Sequence, residues 1–112
     1  AQTDDERLGL LNIVVVGGGP TGVELSGTLA EMRSHILPRD YPELDFTAMQ
    51  VYLVESGGEL LGPMSKNAQE KSKQYLDELG VNVILHTKVT DYDGKHVVLS
   101  DGRQLRTDNF VW

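Results

Sequence analysis

Ile13-Val14-Val15-Val16-Gly17-Gly18-Gly19-Pro20-Thr21-Gly22-Val23-Glu24-Leu25-Ser26-Gly27 is the stretch that decides the fold. An apolar, largely β-branched run meets three glycines and then passes into helix-forming sequence. It reads as a buried strand, a tight turn and a helix start, which is how a dinucleotide-binding βαβ unit opens. Gly17 permits the sharp turn off the strand. Gly19 leaves no Cβ between the backbone and a pyrophosphate, and Gly22 lets the helix lie close to the sheet. A diphosphate there would meet the unpaired N–H groups of the first helical turn, where the helix dipole favours negative charge. Ser26, one turn after Gly22, and Gly27 beside it are small, as a closely packed helix requires.

Working outward, residues 1–9 are polar and acidic and read as a linker or frayed start, ahead of a domain spanning 10–112. Leu10 to Val16 is expected as the first strand. The helix from about Pro20 to Leu37 carries Leu25, Leu29, Met32 and Ile36 as one apolar stripe. Pro20 suits its first turn, where its missing N–H has no intrahelical partner anyway. Pro38 is expected to end it. After a polar excursion containing Pro42, Gln50 to Glu55 reads as the second strand.

Ser56 to Pro63 is glycine-rich and predicts a loop. The next helix is capped by Ser65 or Asn67, the latter forming a capping box with Glu70. Ala68, Ser72, Tyr75, Leu76 and Leu79 form its expected inner face, and Gly80 its stop. Val81 to His86 is a third strand. Asp93-Gly94 and Asp101-Gly102, pairs favoured in hairpin turns, then divide Lys88–Tyr92, Lys95–Leu99 and Arg103–Thr107 into an antiparallel meander. Asn109 to Trp112 begins a fourth core strand. The fold class is therefore α/β, a Rossmann-like parallel sheet in the order β-α-β-α-β, meander, β. Right-handed crossovers put the glycine turn at the carboxyl ends of the strands.

The chain's 112 residues suffice for one domain with its own core. A formal net charge of −7 and the lack of a basic stripe argue against a nucleic-acid partner. Without cysteine there is no disulfide, thiolate metal site or redox dithiol in this segment. No apolar run reaches the ~18–20 residues a bilayer span requires. The start at Ala1 and the stop within a strand, at Phe110-Val111-Trp112, suggest a piece of a longer polypeptide.

Glu55, at the end of the second strand, is placed to accept hydrogen bonds from both hydroxyls of an adenosine ribose. It would repel a 2′-phosphate, and so select NAD over NADP. The competing reading is chance: 17 of 112 residues are acidic, so an acid falls at any position about one time in seven. The acid usually follows the turn by ~20 residues, whereas Glu55 stands 33 beyond Gly22. A longer first helix and the Pro38–Ala48 excursion absorb the difference. Glu24 lies in the first helical turn, where the dipole alone favours a carboxylate; the residues leave that role and a ligand contact equally open. His35, His86 and His96 are dispersed, without metal-ligand spacing. No nucleophile elbow supports a hydrolase. A phosphate-binding NTPase loop would need Lys then Ser or Thr after its last glycine, where Val23-Glu24 stand. An S-adenosylmethionine site is disfavoured by the third glycine and the meander, and FAD remains the closest rival to NAD.

The stretch from Val14 to Gly27 resembles the NADH-binding segment of type II NADH:quinone oxidoreductases, and the likeness runs nearly the full length. It includes Asp4-Asp5-Glu6-Arg7, the long helix with its His35-to-Asp40 tail, Val51-Tyr52-Leu53-Val54-Glu55, Leu79-Gly80-Val81, Thr87-Lys88-Val89-Thr90 and Val111-Trp112. The glycine motif marks the wider pyridine nucleotide-disulfide oxidoreductase group, and the lengthened first crossover narrows it. The resemblance implies a fragment of a larger flavoprotein with two dinucleotide domains, the NADH domain inserted within the FAD domain. Hydride would pass from NADH to FAD and electrons on to a quinone, in a parent peripheral to the cytoplasmic side of a membrane, this segment being soluble and inactive alone. It assigns Gly17, Gly19, Pro20, Thr21 and Gly22 to the pyrophosphate turn, Glu55 to the ribose and Glu24 to the nicotinamide end. With Gly18, Ser56 and Val89 these complete the candidate cofactor-binding set; no catalytic or metal-binding residue is expected. Ser26 stands where alanine is common. The rivals are another flavin-linked reductase and a non-catalytic NADH-sensing module.

Overall fold

Along the central strands, residues alternate between two separate apolar cores. Val15, Val51 and Leu53 face one, and Val14, Val54 and Ile84 face the other. That period of two is what a sheet covered on both sides demands. The computed structural model describes residues 3–43, 46 and 48–112. Its parallel sheet is built from β1 (Asn12–Val16), β2 (Gln50–Val54), β3 (Asn82–Ile84) and β7 (Asn109–Val111) in the order β3-β2-β1-β7. Val14 is in register with Tyr52 on one side and Phe110 on the other. A separate antiparallel meander follows β3, made of β4 (Val89–Tyr92), β5 (His96–Leu99) and β6 (Gln104–Arg106). Gly94 and Gly102, with φ of 92° and 93°, supply the left-handed backbone of its two turns.

The meander buries Val97 and Leu99 against the Val14 face of the sheet, with Tyr92, Leu105 and Phe110 around them. Helices α2 (Pro20–Glu31) and α4 (Lys66–Glu78) cover the opposite face, burying Ala30 and Leu76. The result is three layers: helices, parallel sheet, meander. α2 approaches the sheet through its small residues, with Ser26, Gly27 and Ala30 buried and Leu25, Leu29 and Met32 only partly so. Ile36, expected in the stripe, is 39% exposed.

Several expectations are corrected. Residues 4–11 are not a linker leading into a strand but helix α1 (Asp4–Leu11). Thr3 and Glu6 form a capping box, and Asp4, Asp5 and Glu6 place negative charge at the helix start. Arg106 secures α1 through Asp5, at 2.8 Å, and also binds Asp108 at 2.6 Å. Pro38 does not stop the first long helix. A π-turn over Met32–Ile36, with Leu37 N–H bonded to Met32 O, precedes α3 (Leu37–Asp40). The widened turn accommodates the missing proline N–H at the start of a fresh helical segment. Ser65, not Asn67, caps α4, accepting the Ala68 N–H at 3.2 Å. Tyr75 is not core: it is 45% exposed and donates its hydroxyl to Glu31 on α2. Gln69 takes a buried position on the inner face instead.

Candidate functional site

The glycine turn follows β1 and is held from both sides. Gly17 has φ of 105°, and its N–H donates to Val54 O at 2.8 Å. Such a backbone is strained for any residue with a Cβ. Gly18 donates its N–H to Glu55 Oε1 at 2.7 Å and accepts from Leu61 N–H at 2.7 Å. Gly19 is the N-cap of α2 and makes no side-chain cap bond; Pro20 follows in the first turn. Val23 N–H is the first to find an intrahelical acceptor, Gly19 O at 3.0 Å. Among the described residues, no acceptor meets the N–H groups of Thr21 and Gly22. These are the donors a helix start leaves for an anion.

The steric role of each glycine differs from the sequence expectation in one respect. A Cβ on Gly22 would collide first with the carbonyl oxygen of Gly17, so that glycine mainly permits the helix to cross its own turn. Its approach to the sheet is secondary, with Leu53 Cδ1 at 3.5 Å from that Cβ position. A Cβ on Gly19 would meet nothing within 4 Å. The turn is thus open at Gly19. Gly18, which sequence reading gave no steric role, is hemmed in by Leu60 Cδ2 at 2.8 Å and Glu55 Cγ at 3.1 Å. Leu60 is 42 residues away, and no local pattern signals the contact.

Glu55 extends from the end of β2 into the same crevice. Besides the Gly18 contact, its Oε2 accepts Gly57 N–H at 2.6 Å and the Ser56 hydroxyl at 3.4 Å. The Gly57 N–H holds the carboxyl below its ordinary 4.5; partial burial opposes this, and the Gly18 and Ser56 donors reinforce it. The group is therefore an anion at neutral pH. A carboxylate has about four lone-pair sites; these three protein donors leave one open on Oε1, and a ligand hydroxyl that replaced the long Ser56 contact would find a second on Oε2.

Two cavities flank the turn. The larger, of about 760 Å³, is lined by Gly18, Gly19, Glu55, Gly58, Glu59 and His86 among others. The smaller, about 290 Å³, lies between Val16, Gly17, Pro20, Thr21 and the Val111-Trp112 end of β7. Gly19 borders both, so an elongated ligand straddling it would put one end beside Glu55 and the other beside Trp112. Sequence reading missed His86 and Trp112 as cavity residues. Each follows or ends a strand of the parallel sheet, and that shared carboxyl edge was the available signal. Of the expected residues, Gly17 to Gly22 and Glu55 come together, with Ser56 beside Glu55. Glu24 is exposed and lines neither cavity. Val89 pairs with Leu99 and packs against the second core, and it also lines neither. Among the described residues there is no metal-binding cluster of His, Cys, Asp and Glu.

A parallel sheet with a glycine turn between two cavities, and an acid at the neighbouring strand end, defines a dinucleotide-binding α/β domain. Residues 1–112 match the pyridine nucleotide-disulphide oxidoreductase family, and the chain belongs to it. Within that family it is similar to the type II NADH:quinone oxidoreductase of Haemophilus influenzae, 35% identical over 91% of this chain and 23% of that protein. The type II NADH:quinone oxidoreductase Ndh of Mycobacterium tuberculosis is 33% identical, over 96% of this chain and 24% of its own length. Among solved structures, NDH2 from Plasmodium falciparum in complex with NADH superposes with a TM-score of 0.89 at 25% identity. That match covers 99% of this chain and 24% of the other. The chain spans about a quarter of the length of these relatives.

Proposed function

We propose that this chain is the NADH-binding unit of a type II NADH:quinone oxidoreductase. The observation that carries the reading is the Glu55 carboxylate, fixed to Gly18 N–H at 2.7 Å at the edge of the larger cavity. The pyrophosphate takes the free N–H groups of Thr21 and Gly22 over the open side of Gly19. The ribose hydroxyls meet Glu55, with Ser56 beside it, and the nicotinamide enters the smaller cavity by Trp112. Glu24, one turn into α2, stands towards the nicotinamide end. Val89 acts from behind, through the core under β2. The likeness to NDH2 in complex with NADH supports this arrangement.

In the whole protein, a flavin supplies the hydride acceptor and passes electrons to a quinone, on the cytoplasmic side of a membrane. This chain's share is orientation: holding the nicotinamide at a fixed place and angle removes much of the entropic barrier to transfer. No described helix is long and apolar enough to cross a membrane. Titration calorimetry of the chain tests the reading. NADH is expected to bind, with NADPH weaker by about tenfold or more because its 2′-phosphate meets the Glu55 charge. Equal or tighter binding of NADPH would overturn it.

A further inference from the structure

We infer that His86 is a contact residue for the adenosine half of the dinucleotide, an inference that rests on the NADH-binding reading above. Three observations converge on it. The first is position. His86 follows β3, which borders β2 on the side away from β1, and it lines the larger cavity with Glu55, Gly18 and Gly19. With the pyrophosphate at Gly19 and the ribose at Glu55, the part of the cavity left for the purine is the part His86 bounds.

The second is that the imidazole has a prepared seat. A Cβ on Gly58 would come within 2.7 Å of His86 Cε1 and 3.2 Å of Nε2, so Gly58 lacks a side chain where the ring lies. The backbone is anchored alongside, His86 N–H donating to Gly57 O at 2.8 Å. Thr87 N–H donates to Glu55 O at 3.1 Å, which couples this bend to the ribose acid. Among the described residues, neither ring nitrogen has a hydrogen-bond partner. The ring is placed but unused.

The third is backbone strain. His86 has φ of 54°, a left-handed conformation that disfavours any residue with a Cβ and that glycine takes freely. Such outliers gather where a ligand is held. The fold would be served as well by glycine at this position; the imidazole serves the cavity. An aromatic ring there offers a π face to a purine, and its nitrogens offer a donor and an acceptor to the base or sugar edge.

Replacing the residue separates a binding role from a structural one. His86→Gly is expected to leave the urea midpoint of the chain unchanged or raised, since the strain is relieved. The same substitution should weaken NADH by about fivefold or more, within the range a lost base contact covers. ADP-ribose, which keeps the adenosine and pyrophosphate but lacks the nicotinamide, should lose the same factor. His86→Asn, which tolerates the left-handed backbone but lacks the ring, should bind as weakly as the glycine variant. That result separates ring loss from added flexibility. Unchanged affinity of both variants for NADH and ADP-ribose, with normal binding by the unaltered chain, would overturn the inference and leave the NADH reading intact. Failure of the unaltered chain to bind NADH would instead overturn the reading beneath it.

Discussion

The Glu55 carboxylate accepts the Gly18 N–H at 2.7 Å, tying the end of β2 to the turn that leaves β1. Residues 37 apart in sequence thereby share one hydrogen bond at the mouth of the larger cavity. Glu55→Arg removes this acceptor and places a cation where a 2′-phosphate would lie. We expect the NADH-to-NADPH affinity ratio to fall by about tenfold or more, read by calorimetry with both nucleotides. An unchanged ratio would mean that the acid does not face the ribose.

The same carboxylate couples stability to pH. Its folded value lies below the ordinary 4.5, chiefly through the Gly57 N–H, so folding favours the anion. The stabilisation is complete above the unfolded value and is lost as pH falls through the folded one. Urea unfolding of the unaltered chain and of Glu55→Gln should show a constant stability gap from neutral pH down to about pH 5. The gap should then shrink as the solution is acidified further. A gap that widens in acid would contradict this assignment of the charge.

Gly19 and Gly22 should respond to alanine in opposite ways. A Cβ at Gly19 enters open space from an ordinary φ of −75°, so Gly19→Ala should keep or slightly raise stability. On the proposed reading it should abolish measurable NADH binding, because the methyl group would fill the space assigned to the pyrophosphate. Gly22→Ala drives its Cβ into the Gly17 carbonyl and should cost about 2–3 kcal/mol. Thermal melts paired with NADH titrations check both. NADH binding by a stable Gly19→Ala chain with native affinity would remove the pyrophosphate from the turn.

Ser26 offers a test that concerns the fold alone. It is fully buried between α2 and the sheet, and its hydroxyl has no hydrogen-bond partner among the described residues. Ser26→Ala removes that stranded group at almost constant volume, and should stabilise by about 1 kcal/mol. NADH affinity should not move. Chemical unfolding decides, and a loss of stability would show that the hydroxyl is satisfied in solution.

What the sequence revealed follows from which forces act locally. The Ile13–Val16 run, the three glycines and Asp93-Gly94 each impose their backbone within a few residues, so strand, turn and hairpin were all legible. The Thr3–Glu6 capping box was equally local, but the acidic composition around it masked a helix behind a linker reading. Pro38 misled for a different reason. A proline forbids one hydrogen bond, and the π-turn over Met32–Ile36 reorganises the helix around that loss. Tyr75 has the spacing of a core residue, yet its hydroxyl finds Glu31, a partner fixed only when α2 and α4 meet.

The site divides in the same way. That Gly17, Gly19, Gly22 and Glu55 would meet in one crevice was readable, because a strand, a tight turn and a helix start depend on residue type at set places and put the next strand's end beside the turn. The crowding of Gly18 by Leu60, the seat of His86 on Gly58 and the wall made by Trp112 arise between distant segments. Val89, one of the expected cofactor residues, packs against the second core and lines neither cavity, a placement that depends on how the meander meets the sheet.

The most direct test of the central claim is an amide NMR titration of the chain with NADH. The largest shifts are expected on Gly18, Gly19, Thr21 and Gly22, then on Gly57 and Gly58, with the meander from Val89 to Arg106 little changed. Saturable binding whose shifts cluster on the meander or on α1, leaving the glycine turn unmoved, would contradict it.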